Sequence, residues 1–137
     1  MSTFDLTIVA TDKVFFQGPA EFIVFPGLDG EHGVLPQHET MVAAVQAGEL
    51  RYTADGKKQI VVVGDGFVEI LGDRVTLICD FAERAEDIDV MRAQRAKERA
   101  EERLKARRSE IEYIRSQAAL ARAMARLKVS SKIRKNL

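Results

Sequence analysis

The sequence predicts an α+β protein, with an N-terminal antiparallel β-sandwich over residues 1–85 and a C-terminal antiparallel hairpin of two α-helices over residues 86–137. All nine Gly, all three Pro and eight of the nine Phe and Tyr lie in the first part. The second part is rich in Ala, Arg, Lys, Glu and Leu, which favour helix. Residues 1–85 carry 6 Lys or Arg against 13 Asp or Glu, a net charge of −7, and residues 86–137 carry 15 against 8, a net charge of +7. This shift marks a boundary between two units.

Period-two alternation predicts the first strand over residues 4–11, where Phe4, Leu6 and Ile8 alternate with Asp5 and Thr7. Short runs rich in β-branched residues predict further strands over residues 14–17, 21–25, 33–35, 42–47, 49–53, 59–63, 67–71 and 75–80. Turns that need positive φ are expected at Asp55-Gly56, Gly64-Asp65-Gly66 and Gly72-Asp73. Many short strands without intervening helices indicate a sandwich or a flattened barrel.

The basic part predicts two helices. Asp87 is expected to cap the first helix, and the run from Ser109 to Glu112 has the pattern of a capping box at the start of the second. The expected apolar stripes are Ile88, Met91, Ala96, Ala100 and Leu104 on the first helix, and Ile114, Ala118, Ala121 and Ala125 beside Leu120, Met124 and Leu127 on the second. Because each Ala buries little area, we expect a weakly held hairpin that is suited to changing partners.

The sequence gives little indication of a catalytic site or a metal site. Cys79 is the one cysteine, so there is no internal disulfide, and its phase with Val75 and Leu77 favours a core residue over a reactive thiol. His32 and His38 have no third ligand at a recognisable spacing, which favours two loop histidines over a metal site. No catalytic triad order, paired-acid signature or phosphate loop is present, so we expect a protein that is not an enzyme.

The apolar content and the charge of the chain limit the kinds of partner that it can bind. The longest strongly apolar run, residues 60–63, is far shorter than the ~20 residues of a spanning helix, and residues 1–5 carry no secretory pattern. We therefore expect a cytoplasmic setting without direct membrane insertion. The basic hairpin leaves open a solvated face, a phosphate-bearing ligand, an acidic protein surface or nucleic acid. Nucleic acid is least favoured, because an acidic unit is attached and Tyr113 is the hairpin's only aromatic residue.

A series of segments in fixed order resembles the epsilon subunit of bacterial F-type ATP synthases. The clearest are Gly30-Glu31-His32-Gly33-Val34-Leu35-Pro36-Gln37-His38 and Ala118-Ala119-Leu120-Ala121-Arg122-Ala123-Met124-Ala125-Arg126-Leu127. Further matching positions are residues 4–9, Asp12, Phe16, Gly18, residues 26–27, residues 64–70 and the junction at residues 82–89. The resemblance therefore covers essentially the whole chain.

The resemblance implies a ten-stranded sandwich followed by two helices, in a non-catalytic subunit of the central stalk. It also implies a set of partners. The sandwich would bind the gamma subunit and the c-ring during proton-driven ATP synthesis, and the helices would extend towards the alpha and beta subunits to obstruct ATP hydrolysis. The implied location is peripheral, on the cytoplasmic face of the bacterial plasma membrane.

The resemblance also implies site residues. Glu31, in a turn over residues 30–33, would meet the c-ring, and His38 would lie near gamma. ATP would be a regulatory ligand, with no obligatory cofactor, no metal and no catalytic residue. The implied ATP-binding residues are Ile88, Asp89, Arg92, Ala93, Arg99, Arg122 and Arg126. Such guanidinium groups can fork onto phosphate oxygens. The alternative function is a free-standing sensor of a phosphate ligand, whose helical hairpin closes on that ligand.

Overall fold

The computed structural model describes residues 2–135, with side chains described through residue 133. Met1, Asn136 and Leu137, which the predicted domains include, lie outside the described residues. The chain forms two compact units, one ending at Arg84 and one starting at Ala85. The first unit contains ten strands: β1 (Phe4–Ala10), β2 (Lys13–Ala20), β3 (Phe22–Gly27), β4 (Gly30–Val34), β5 (Met41–Val45), β6 (Gly48–Ala54), β7 (Lys57–Val63), β8 (Gly66–Leu71), β9 (Arg74–Cys79) and β10 (Ala82–Arg84).

The strands form one sheet in the order β10-β7-β6-β3-β5-β8-β9-β1-β2, and β4 pairs with β3. The sheet closes on itself, because Phe16 of β2 and Tyr52 of β6 lie with ring centroids 4.7 Å apart although their strands are far apart in that order. Residues from both halves of the sheet fill one core, including the fully buried Leu6, Leu50 and Leu77. The predicted α+β sandwich is confirmed. One pair departs from the antiparallel expectation, since β1 and β9 run parallel.

All nine strands predicted from the residues are present with shifted ends, and the additional strand β10 pairs with β7. The turn prediction is confirmed at Asp55-Gly56, where φ is 56° and 72°, and at Gly72, where φ is 59°. It is wrong at Gly64-Asp65-Gly66, since none of these residues has positive φ. Glycine is required at position 66 because there is no space for a side chain: a Cβ there would lie 1.8 Å from the carbonyl oxygen of Ile78 on the neighbouring strand.

The second unit consists of a short 3₁₀ helix (Ala85–Asp87) and two α-helices, α1 (Val90–Ala106) and α2 (Glu110–Lys135). The predicted cap at Asp87 is wrong, because that residue belongs to the 3₁₀ turn. Asp89 caps α1 instead, and its Oδ1 accepts a hydrogen bond of 3.0 Å from the backbone N–H of Arg92. The cap of α2 is confirmed, since Ser109 Oγ accepts from the Glu112 N–H at 3.1 Å.

The seam between α1 and α2 is lined mainly by small residues, and the predicted stripes are confirmed only in part, since Ile88 and Ala100 of the first stripe are buried. Small buried residues recur every seven positions, at Ala93 and Ala100 on α1 and at Ser116, Ala123 and Ser130 on α2, and Val129 of α2 is buried as well. Several residues of the predicted stripes face solvent instead: Met91 (67% exposed), Ile114 (59%) and Met124 (51%). Small side chains allow close helix approach but bury little apolar area. The hairpin therefore gains little hydrophobic stabilisation from its own seam.

Candidate functional site

Glu31 belongs to a charge cluster on the surface of the sheet. It lies within β4 and not in the predicted turn, whose sharp bend is at Gly30 with φ 122°. Its carboxylate accepts two hydrogen bonds from the Arg51 guanidinium, at 2.7 and 3.3 Å, and Arg51 also pairs with Glu49. The hydrogen bond with Glu31 raises the pKa of Arg51 above its usual value. Arg51 thus joins a carboxylate of β4 to one of β6.

His38 lies in the loop after β4 and contacts the ring of His32. The two Nε2 atoms are 3.3 Å apart, and His38 Nδ1 lies 2.7 Å from the carbonyl oxygen of Glu39. The prediction of two loop histidines is therefore wrong for His32, which lies within β4, opposite Phe25 of β3. Sequence spacing did not indicate this contact, because it depends on the path of the loop.

A row of apolar side chains crosses the outer surface of the sheet, at right angles to the strands. Cross-strand pairs connect Ala44 to Phe67, Phe67 to Ile78, Ile78 to Val9 and Val9 to Val14. Phe67, Ile78 and Val14 are 46%, 40% and 58% exposed. These five residues are called the outer row below. Contiguous exposed apolar surface of this kind marks an interaction site.

Among the predicted ATP-binding residues, the motif at the start of α1 has a structural role of its own. The Asp89 carboxylate caps the helix, and Arg92 presents an exposed side chain one turn later. Ile88 and Ala93 are buried, 8% and 3% exposed. A nucleotide base could contact these two residues only after a local rearrangement of their surroundings.

The hairpin register decides which arginines approach one another. Buried residues come in pairs that are equally distant along the chain from Arg108: Ala100 with Ser116, and Ala93 with Ala123. Arg92, on this register, lies between the levels of Arg122 and Arg126, which are both half-buried. Arg99 lies nearer the turn, about 7.5 Å along the helix axis from the level of Arg122.

Two sets of arginines share one face of the hairpin. Arg92, Arg99 and Arg103 lie within about 40° of one another around α1, and Arg115, Arg122 and Arg126 do so around α2. The two sets meet near the turn, where Arg103 and Arg115 line the same open cavity of about 530 Å³. Arg99 lines a second cavity there, together with Arg103 and Arg108. These six residues are called the arginine face. Sequence reasoning had missed Arg103 and Arg115.

The thiol of Cys79 belongs to the sandwich core, as predicted. The residue is 4% exposed, and its Sγ lies 3.6 Å from the carbonyl oxygen of Val9. Burial raises the pKa of Cys79 to about 11, the charge of Asp80 adds to this effect, and a hydrogen bond with the Gly64 backbone opposes it. The thiol is thus protonated at neutral pH, a state with little nucleophilic character.

Within residues 2–135, no helix has the length and apolar character that crossing a membrane requires. Residues 3–85 match the family described as ATP synthase, Delta/Epsilon chain, beta-sandwich domain, and residues 86–131 match its long alpha-helix domain.

Known proteins resemble the chain along most of its length. An ATP synthase epsilon chain of Ruminiclostridium cellulolyticum is 48% identical over 114 residues, which cover 83% of this chain and 85% of that protein. An epsilon chain of Desulforamulus reducens is 47% identical over 107 residues, 78% of this chain and 81% of that one.

Two solved ATP synthase assemblies contain chains with the same fold. A chain in the Euglena gracilis mitochondrial ATP synthase, solved as OSCP/F1/c-ring, superposes with a TM-score of 0.80 and 26% identity, covering 91% of this chain and 79% of that chain. A chain of the Tetrahymena thermophila central stalk and c-ring shares the fold at a TM-score of 0.65 and 7% identity, covering 92% and 95% of the two chains. The chain belongs to the ATP synthase delta/epsilon family, as an epsilon chain of the bacterial type.

Proposed function

We propose that this chain is the rotor subunit that connects gamma to the c-ring during proton-driven ATP synthesis, and that its helices restrain ATP hydrolysis. The outer row is the observation that carries the rotor assignment. Three of its side chains are at least 40% exposed, and together they extend across five strands. An apolar surface in this position is stabilised when a partner covers it, and gamma is the partner that we assign to it.

The second proposed rotor contact, with the c-ring, is assigned to polar residues of the sandwich. The side chain of Glu31 is 58% exposed, and an exposed carboxylate suits a basic loop of the c-ring. His38 is assigned to the side that faces gamma. The location that follows is peripheral, at the cytoplasmic face of the bacterial plasma membrane.

Replacing Phe67 by Asp should reduce co-purification with gamma and the catalytic subunits by about tenfold or more, because a charge would be buried at the centre of the apolar contact. The measurement is a pull-down of the complex with tagged chains. Leu71→Asp is the matched control, since Leu71 lies on the same face of β8, is also 46% exposed and stands outside the outer row.

Equal binding by both variants, with unchanged circular dichroism, would contradict the gamma assignment of the outer row. The alternative function, a free-standing sensor of a phosphate ligand, predicts that even the unmodified chain fails to associate with gamma under any nucleotide condition. The same pull-down therefore separates the two functions.

Restraint of hydrolysis is assigned to the hairpin. The folded hairpin leaves Met91, Ile111, Ile114 and Met124 at least 51% exposed, so it keeps apolar surface available for another partner. The alpha and beta subunits are the partners proposed for the extended helices. Because the seam buries little apolar area, a few kcal/mol of differential binding would shift the population between folded and extended states.

ATP is proposed as the ligand that favours the folded hairpin. The arginine face places six guanidinium groups on one side of the hairpin when the helices pack. A bound triphosphate would connect guanidinium groups of both helices through charge-assisted hydrogen bonds, and this favours the packed state. Since Arg92, Arg122 and Arg126 lie near one level and Arg99 nearer the turn, the ligand that reaches all four must extend along the helix axis, as a triphosphate chain does.

Arg92→Ala and Arg126→Ala should each weaken ATP binding to the full chain by about tenfold or more, because each removes a charge-assisted contact. Isothermal calorimetry with ATP measures the effect directly. The control is Arg95→Ala, which removes an exposed arginine of α1 outside the arginine face and should leave the affinity unchanged. No binding at millimolar ATP, or equal affinity in all variants, would exclude this site.

A further inference from the structure

The proposed function uses His38 but not its contact with His32, the chain's only other histidine. His32 lies in β4 with its ring centroid 5.1 Å from that of Phe25, so its orientation is fixed by packing in the sheet. His38 follows Gln37, whose φ of 66° turns the loop back towards the strand. A non-glycine residue with such a φ is uncommon, and strain of this kind tends to occur at functional positions.

Hydrogen bonding determines which nitrogen of each neutral ring carries the proton. The carbonyl oxygen of Glu39 can only accept, so Nδ1 of His38, 2.7 Å away, is the donor. Nε2 of His38 then has a free electron pair, and Nε2–H of His32 donates to it across 3.3 Å. His38 is therefore held with the nitrogen that can bind a metal directed at its neighbour.

The separation of the two nitrogens equals that of two ligands on one metal ion. Zinc binds imidazole nitrogen at about 2.0–2.1 Å with tetrahedral geometry, which places two such nitrogens about 3.3–3.4 Å apart. The observed Nε2 separation is 3.3 Å. The hydrogen bond from His38 Nδ1–H to a backbone carbonyl is also the contact that orients a metal-binding histidine and fixes its tautomer.

We propose that His32 and His38 form a binding site for one divalent transition-metal ion of the Zn²⁺ class, held by the two Nε2 atoms. When the ion binds, the proton on His32 Nε2 moves to its Nδ1 through solvent, so both Nε2 electron pairs are donated to the metal and no proton is released overall. Within the part of the chain that the structure describes, no three His, Cys, Asp or Glu side chains converge on one point. Water therefore completes the coordination, and the ion exchanges readily.

Zn²⁺ titrated into the full chain should bind with one ion per chain by isothermal calorimetry. His32→Gln and His38→Gln should each lower the affinity at least tenfold, since each removes one of two protein ligands. Glu39→Gln is the control: it removes a neighbouring carboxylate, keeps the backbone carbonyl that orients His38, and should leave the affinity unchanged. Cys79 is buried and does not compete.

Nuclear magnetic resonance of the imidazole nitrogens gives an independent measurement, because the chain has only two histidines. Zn²⁺ should shift the Nε2 signals of both rings together and place the proton of His32 on Nδ1. The proposal is overturned if the folded chain binds no Zn²⁺ at a concentration of about 1 mM, if either single variant binds as tightly as the unmodified chain, or if only one ring responds.

Discussion

Removal of residues 88–137 is expected to raise ATP hydrolysis by the assembled complex about fivefold or more while leaving assembly intact. The magnitude follows from a coupling free energy of the usual size, about 1–3 kcal/mol. The shortened chain should still fold, because the buried core of the sandwich consists of residues between Phe4 and Ala82. The outer row, which we assign to gamma, also remains.

The measurement compares steady-state ATP hydrolysis of complexes reconstituted with the full or the shortened chain, at equal occupancy. Full-chain complexes are also compared at low and high salt, because contacts between the basic extended helices and acidic surfaces of the catalytic subunits weaken as salt screens them. Equal hydrolysis by both complexes would contradict inhibition by the helices. Loss of gamma from the shortened complex would contradict the assignment of rotor binding to the sheet.

Local sequence pattern predicted most of the sandwich. The alternation over residues 4–11 predicts β1, which spans Phe4–Ala10, because one face of this strand is buried and the other is not. Strand β10 was missed when only the residues were considered, since Ala82–Arg84 is too short for a pattern and depends on pairing with β7. The sequence could not distinguish Asp87 from Asp89 as a cap, because both are acidic residues that precede the same helical run.

The hairpin shows where apolar pattern misleads. Ile114 and Met124 were expected in the seam because they are apolar, yet both are more than half exposed. The seam uses Ser116 and Ser130 instead, since close approach of two helices requires small side chains more than apolar ones. Ser130 still satisfies its hydroxyl, which donates to the Leu127 carbonyl at 3.0 Å.

The sequence predicts a candidate site only where the position of the turn between α1 and α2 determines which residues meet. Once Ser109 is identified as the cap of α2, the antiparallel register brings Arg92 close to Arg122 and Arg126. The contact between His32 and His38 could not be predicted, because it depends on the left-handed conformation of Gln37, a residue type that gives no turn signal.

Gly66→Ala should unfold the sandwich or destabilise it by about 4 kcal/mol or more, the range associated with severe steric disruption. The added Cβ would lie 1.8 Å from the Ile78 carbonyl oxygen and 2.8 Å from the Cys79 Cα. Both atoms belong to the backbone of β9, which is paired with β8 and with β1, so neither can move without breaking the sheet. Thermal unfolding followed by circular dichroism measures the loss.

Gly18→Ala is the matched control, because Gly18 also lies in a strand with ordinary φ but an added Cβ would meet only the Phe16 ring at 3.5 Å. Alanine is less flexible than glycine in the unfolded chain, so this variant should be unchanged or up to about 1 kcal/mol more stable. If Gly66→Ala lowers the stability and Gly18→Ala does not, glycine is required at position 66 because β9 approaches closely, and not because of a turn. Similar stability of both variants would instead show that β9 can shift away from β8, and the tight packing inferred at Gly66 would be wrong.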